Sequence, residues 1–241
     1  LLAFDYDGTL FESSQSKFNH EKALELITLV LLEGFHVVII TARDASFRKE
    51  MIPQLQKVMV HSKSRCYLGG ANGTYLTEIL QNKLRRIYSF FLTIDDIKSI
   101  LENYDKIVKA LKLKGKDFIK KGVFTFQTFL SNERQWKKFV SNKLLNISSA
   151  YGGRIFIEKS KISIVLPKKS KQQKRFIQLL SKQISQKFHV KGDNTFIHIS
   201  TKIYKQNKVV DNKLFALQNV LRILKLSKHE VISFGDAPQG N

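Results

Sequence analysis

The stretch Phe4-Asp5-Tyr6-Asp7-Gly8-Thr9-Leu10 places two carboxylates two positions apart, directly after the apolar run Leu1-Leu2-Ala3-Phe4 and directly before a Gly-Thr turn. A short apolar run that enters a turn reads as a buried strand. A strand ending in Asp-x-Asp presents both side chains, and the carbonyl between them, to the crevice beyond its carboxyl end, where open α/β sheets bind ligands. Two acids this close repel each other unless a cation or a shared proton offsets them. The pair therefore points to a hard metal and oxygen chemistry. Taken alone it reads equally well as an acidic turn at a strand end, so its context along the chain has to decide.

Outward from this motif, the first third alternates strand and helix, a pattern that predicts a parallel sheet. Residues 20–32 read as a helix, with Ala23, Leu24, Ile27 and Leu31 on one face and Asn19 as its N-cap. Gly34 ends it, and residues 35–40 (Phe-His-Val-Val-Ile-Ile) read as a buried strand. A second helix is expected over 44–60, disturbed by Pro53. Residues 65–68 form a third strand running into Gly69-Gly70-Ala71-Asn72-Gly73, and Asn-Gly between β-formers signals a tight turn with residues 74–76 returning as a hairpin. The pattern then changes. Helices are expected over 94–113, 133–145 and 171–188, and strands over 118–130, 154–157, 162–166 and 195–199, an α+β arrangement. Alternation resumes with a helix over 212–226 and a strand over 231–234 that ends at Gly235-Asp236.

Charge divides the chain at nearly the same places. The 241 residues carry a formal net charge of +21. Residues 1–74 are net zero, residues 75–200 hold 26 basic against 9 acidic side chains (net +17), and residues 201–241 are net +4. Such a field attracts polyanions and anionic substrates, although lysines that merely solvate a surface give the same count. The run Lys168, Lys169, Lys171, Lys174, Arg175 opposes the Phe176/Leu180 side of its helix and reads as a solvated face. Hydrophobic content of 43% marks a globular chain. The single cysteine, Cys66, excludes an intramolecular disulfide and a multi-cysteine zinc site. His189 and His198 have a spacing that suits no helical zinc motif. The longest apolar candidate for a membrane span, residues 26–32, is cut short by Glu33-Gly34. No membrane partner is expected, and a cytoplasmic location is the default. The chain starts inside a strand without an initiator Met and reads as trimmed at its start.

Three further polar positions fall at the ends of expected core strands or beside them. Thr41 follows the second strand, where its hydroxyl suits a phosphoryl oxygen or an N-cap. Lys213 opens the helix before the last strand, where an ammonium suits an anion or plain solvent. Asp236 follows Gly235, a place for a metal carboxylate or a turn. Arg43, just past Thr41, and the Asn72-Gly73 turn are candidates for substrate contact.

In order, Asp-x-Asp-Gly-Thr, strand-Thr, helix-Lys and strand-Gly-Asp resemble the haloacid dehalogenase superfamily of phosphohydrolases. The Gly69–Gly73 turn before a large insert, and Asn212-Lys213-Leu214-Phe215-Ala216-Leu217, are similar to its Cof-type branch. The resemblance implies a Rossmann-like parallel-sheet α/β core made of residues 1–78 and 202–241, with an α+β cap inserted over 79–201. It also implies an Mg²⁺-dependent phosphatase. In that scheme Asp5 is the nucleophile that forms an aspartyl-phosphate and Asp7 is the general acid and base. Thr41 and Lys213 hold the phosphoryl group. Mg²⁺ is held by Asp5, the Tyr6 carbonyl and Asp236, with Asp7 near it. Two departures are visible. Leu214 replaces the glycine that usually follows the lysine, which leaves Lys205 and Lys208 as competitors for that role. The last motif, Gly235-Asp236-Ala237-Pro238-Gln239-Gly240-Asn241, stops where the family's second acid is expected, so the carboxyl end of the core is expected to be truncated. The implied substrate is a phosphorylated small molecule, such as a sugar phosphate. The alternatives are a phosphomutase-type phosphotransferase, and a nucleic-acid or anion-binding module that uses the basic insert.

Overall fold

The computed structural model of the chain describes residues 1–6, 9–10, 17–42, 51–114, 117–118, 125–126, 155–157, 160–192 and 196–235. In chain order the elements are β1 (Leu2–Asp5), α1 (Lys17–Leu32), β2 (Val37–Ile40), α2 (Ile52–Val58), β3 (Cys66–Gly70), β4 (Tyr75–Ile79), β5 (Leu84–Ser89), α3 (Ile94–Ala110), β6 (Thr125–Phe126), β7 (Ile155–Ile157), β8 (Lys161–Val165), α4 (Ser170–Ile184), β9 (Phe188–Gly192), β10 (Phe196–Thr201), β11 (Ile203–Lys205), β12 (Lys208–Val210), α5 (Asn212–Leu224) and β13 (Ile232–Phe234). The chain divides into two units, Leu1–Phe90 with Ile203–Asn241, and Phe91–Lys202.

The first unit is an α/β fold around a six-stranded sheet in the order β13-β1-β2-β3-β4-β5. β13, β1, β2 and β3 run parallel, while β4 and β5 return antiparallel. Val37-Val38-Ile39-Ile40 is buried along its whole length, as expected of a central parallel strand with both faces covered. Ala216 and Val220 of α5 pack on Ala3, Val38, Ile40, Tyr67 and Leu76. α1 buries Ala23, Ile27 and Leu31, and it packs against β2 and α2.

Several details differ from the sequence expectation. α1 begins at Lys17, so Asn19 lies inside the helix. Phe35 is exposed and precedes β2. Pro53 opens α2 from its first turn, where a missing N–H costs no helical bond, and residues 43–50 lie outside the described residues. The first division of the chain falls after Phe90, not at 78/79, because β5 pairs with β4 and extends the first unit's sheet. A buried carboxylate fastens this extension. Glu78 is 2% exposed and accepts a hydrogen bond from Arg65 Nε at 2.6 Å, while its other oxygen meets Arg85 of β5.

The second unit is α+β. Its sheet runs β6-β7-β8-β10-β9, with β6 and β7 parallel and the remaining pairs antiparallel. One face packs Ile155, Ile157, Ile162, Ile164, Ile197 and Ile199 into a core with α3 and α4. Thr93 caps α3 in a reciprocal box with Asp96. α4 ends at Ile184, and Phe188 begins β9 instead of closing the helix. Of the strand expected over 118–130, Thr125–Phe126 forms β6 and Phe118 bridges Pro167. The helix expected over 133–145 lies outside the described residues. Among the described residues, no helix is long and apolar enough to cross a membrane.

Candidate active site

The site is built at the carboxyl edge of the parallel strands. Asp5 is the last residue of β1 and pairs in register with Ile40, so Thr41 is the next residue at the same edge. Asp5 Oδ1 accepts the Tyr6 N–H at 2.9 Å, and Oδ2 meets the ammonium of Lys213. That ammonium comes from the start of α5. Asp211 is the N-cap there, and its carboxylate accepts the N–H groups of Lys213 at 2.9 Å and Leu214 at 3.1 Å. Capping of this kind fixes the first turn, and a helix amino end with a lysine on it favours an anion.

A second set of bonds ties Thr41 to the glycine-rich turn. The Thr41 N–H donates to the Gly69 carbonyl at 2.9 Å, and the Thr41 carbonyl accepts the Asn72 N–H at 2.7 Å. Ala71, Asn72 and Gly73 all take positive φ angles of 49°, 60° and 82°. Gly73 lies so close to α5 that a Cβ on it would stand 2.3 Å from the Asn212 carbonyl oxygen. The Tyr88 hydroxyl donates to the Gly73 carbonyl at 2.9 Å, and burial pushes that phenol's pKa up. Gly73 thus packs closely against the start of the helix carrying Lys213, and Asn72 is tied through its backbone N–H to Thr41.

β13 runs beside β1 with Phe4 opposite Phe234, and their rings stack at 4.9 Å. Gly235 therefore leaves the sheet at the edge that carries Asp5. Between β1, β13 and α5 lies a cavity of about 220 Å³, lined by Phe4, Ile40, Leu214, Leu217 and Phe234 together with Asp5 and Lys213. Leu214 is 48% exposed and narrows this space where a glycine would leave it open. Lys205 and Lys208 face each other across the β11–β12 hairpin, whereas Lys213 is the lysine that reaches Asp5. Asp7, Arg43 and Asp236 lie outside the described residues. The role of Asp211 went unread in the sequence, although an aspartate directly before an apolar-periodic segment is a helix-start signal.

The donors present suit a hard cation. The Asp5 carboxylate and the Tyr6 carbonyl are both oxygen ligands, the kind that Mg²⁺ takes. The Tyr6 carbonyl accepts the Leu10 N–H at 3.0 Å, and a carbonyl oxygen has a second lone pair. Among the described residues, no three His, Cys, Asp or Glu side chains gather at one point.

A model of the haloacid dehalogenase-like hydrolase family matches residues 2–239. No curated protein matches the sequence. Among solved structures, a HAD/COF-like hydrolase from Plasmodium vivax is 16% identical with a TM-score of 0.55, the match covering 96% of this chain and 76% of that one. The IMP-nucleotidase of Plasmodium falciparum is 17% identical with a TM-score of 0.54 over 96% of this chain. The chain spans 57% of that protein's length. A subclass IIB sugar phosphatase is 13% identical with a TM-score of 0.51, covering 98% of this chain and 81% of its own. At these identities the likeness is one of fold.

Proposed function

We propose that this chain, which belongs to the haloacid dehalogenase-like hydrolase family, hydrolyses a phosphomonoester of a small molecule, and that Asp5 attacks the phosphorus. The observation that carries the reading is the meeting of Asp5 and Lys213 at the carboxyl edge of the parallel sheet, beside Thr41. A phosphate ester resists attack because its oxygens are anionic, so its hydrolysis needs positioning and charge neutralisation above all.

In this reading an Asp5 oxygen forms a bond to phosphorus as the ester P–O bond breaks, and Asp7 passes its proton to the departing alkoxide. Asp7, now a carboxylate, takes a proton from the water that attacks the aspartyl-phosphate. The Asp5–phosphorus bond then breaks and inorganic phosphate leaves. Lys213 pairs with the phosphoryl oxygens in both steps, and the Thr41 hydroxyl orients them. Asp5, the Tyr6 carbonyl and Asp236 would hold Mg²⁺, which neutralises phosphoryl charge when bound. The second unit serves as the cap, and its basic composition suits an anionic substrate such as a sugar phosphate.

The test is phosphate release from a panel of phosphorylated sugars and nucleotides with Mg²⁺ and with EDTA. Release that requires the metal and is lost in Asp5→Asn supports the reading. Turnover that depends on an added bisphosphate would instead mark a phosphotransferase, and no release from any member of the panel would sink the phosphatase.

A further inference from the structure

The two helices that share the second unit's core, α3 and α4, carry charge in opposite ways. α3 holds Asp95, Asp96, Glu102 and Asp105 among its lysines, and the pairs Lys98–Glu102 and Lys109–Asp105 form along it. α4 holds Lys171, Lys174, Arg175 and Lys182 and no acid. Lys168 and Lys169 precede it, and no Asp or Glu occurs between Lys159 and Gly192. A lysine-rich habit of composition would load both helices alike. The excess is instead confined to one of them.

Placement on α4 is as one-sided as the charge. Phe176, Leu180 and Ile184 are buried. At about 3.6 residues per turn, Lys171, Arg175, Gln178 and Lys182 fall within about 60° of arc centred opposite Leu180, along about 16 Å of the helix axis. Lys174 flanks this crest, and all five side chains are exposed. Among the described residues, none of Lys171, Lys174, Arg175 and Lys182 makes an ion pair. Like charges three or four residues apart on a helix destabilise it, and a polyanion laid along the crest offsets that repulsion.

The surroundings of the crest select among polyanions. Among the described residues of the second unit, no large apolar or aromatic side chain is exposed. A helix that lies on a membrane buries apolar side chains in the lipid interface, and single strands are held by bases stacked on aromatic rings. Neither kind of side chain is offered beside α4. The major groove of B-form DNA, about 12 Å wide, admits an α-helix, whereas the major groove of A-form RNA is too narrow for side chains to read. We propose that the outer face of α4, through Lys171, Lys174, Arg175 and Lys182, binds double-stranded DNA by its phosphates, without reading sequence. The surface belongs to the second unit alone and does not depend on the reading of Asp5 and Lys213.

The experiment uses the full chain and a labelled DNA duplex of mixed sequence, with binding followed by fluorescence anisotropy between about 50 and 200 mM salt. Neutralisation of about four phosphates makes log K fall with log salt at a slope of about −4. The triple variant Lys171→Gln, Arg175→Gln, Lys182→Gln should bring the slope to about −1, roughly one for each lost contact. A triple variant of α3, Lys98→Gln, Lys106→Gln, Lys109→Gln, loses the same charge and should leave the slope at its wild-type value. Equal effects of the two triples would assign the binding to net charge and overturn the proposal. So would an absence of duplex binding at the lowest salt, a tighter hold on a single strand or an RNA duplex of the same length, or tighter binding to phosphatidylserine vesicles. A second measurement needs no variant. Lysine acetylation of the wild-type chain, read by mass spectrometry, should show Lys171 and Lys182 protected by the DNA duplex and Lys98 unprotected, and equal labelling with and without DNA would refute the surface. Neither readout involves turnover, so failure here and failure of the phosphatase reading are separate outcomes.

Discussion

The Lys213 ammonium donates to the Asp5 carboxylate across a sequence separation of 208 residues. Neither group reaches the other through its own segment. Asp5 is set by the end of β1, and Lys213 by the Asp211 cap of α5. The pair is thus a product of the first unit's tertiary structure, and it gives each residue a distinct expected loss on substitution.

On the proposed reading, Asp5→Asn removes the nucleophile but keeps the size of the side chain. It should abolish Mg²⁺-dependent phosphate release without lowering the thermal midpoint. Residual turnover near the wild-type rate would refute the assignment. Lys213→Ala should cost on the order of 10²–10³ in kcat, the scale found when one donor to developing charge is removed.

Gly73→Ala tests the seating of α5. The new Cβ would stand 2.3 Å from the Asn212 carbonyl oxygen at a φ of 82°, a conformation that L residues adopt at a cost of about 1–3 kcal/mol. Both the thermal midpoint and kcat should fall, because the helix that is displaced carries Lys213. A variant with lowered stability and unchanged kcat would separate the turn from the site.

How much of this was legible in sequence follows from the strength of local signals. The ends of β1 and β2, which carry Asp5 and Thr41, and the start of α5, which carries Lys213, were readable because each lies where an apolar run meets a turn or a helix start, whereas the contact of Asp5 with Lys213 is made only by the tertiary fold. β5 was not readable as part of the first unit, since Lys83-Leu84-Arg85-Arg86 looks like basic surface and its partner charge, Glu78, is on another strand. The start of β9 was hidden because Phe188 continues the apolar spacing of Phe176, Leu180 and Ile184, although the backbone turns after Ser185. The β11–β12 hairpin turns at Gln206 and Asn207 with φ angles of 50° and 62°, and no glycine marks it. Asx-type residues tolerate such angles, but a Gln-Asn pair is a weak signal.

The Asp96 carboxyl should make the second unit's stability sensitive to acid. Burial pushes its pKa up, but the Lys187 ammonium and the bond from the Thr93 N–H, with the Thr93 side chain beside it, outweigh burial and hold it below the ordinary value. A carboxyl depressed in the folded state stabilises it above the unfolded value, near 4, and the contribution is lost as pH falls through the folded one. Asp96→Ala should lower protection of the α3 amides by about 1 kcal/mol at neutral pH, the usual worth of a cap. The difference from wild type should shrink below about pH 4. Hydrogen exchange across that range checks both, and a difference constant with pH would count against the ion pair.

Cys66 is fully buried, and burial with the nearby Glu78 carboxylate pushes its thiol up to about 12. Thiolate is the reactive form, so a thiol reagent at neutral pH should label Cys66 only as fast as the first unit opens. Labelling that is complete in the folded protein within seconds would contradict this burial.

The order of strands in the first sheet has a consequence for biosynthesis. β1 lies between β2 and β13, and these partners are separated by most of the chain. As the polypeptide leaves the ribosome, the strand that carries Asp5 can acquire its β2 neighbour early. Its other side stays unpaired until residues 232–234 emerge, and Lys213 arrives only shortly before them. Pairings this distant in sequence close slowly, and an unpaired apolar strand edge is exposed to aggregation meanwhile. The Asp5–Lys213 pair therefore forms only after some two hundred residues have followed the aspartate out of the ribosome.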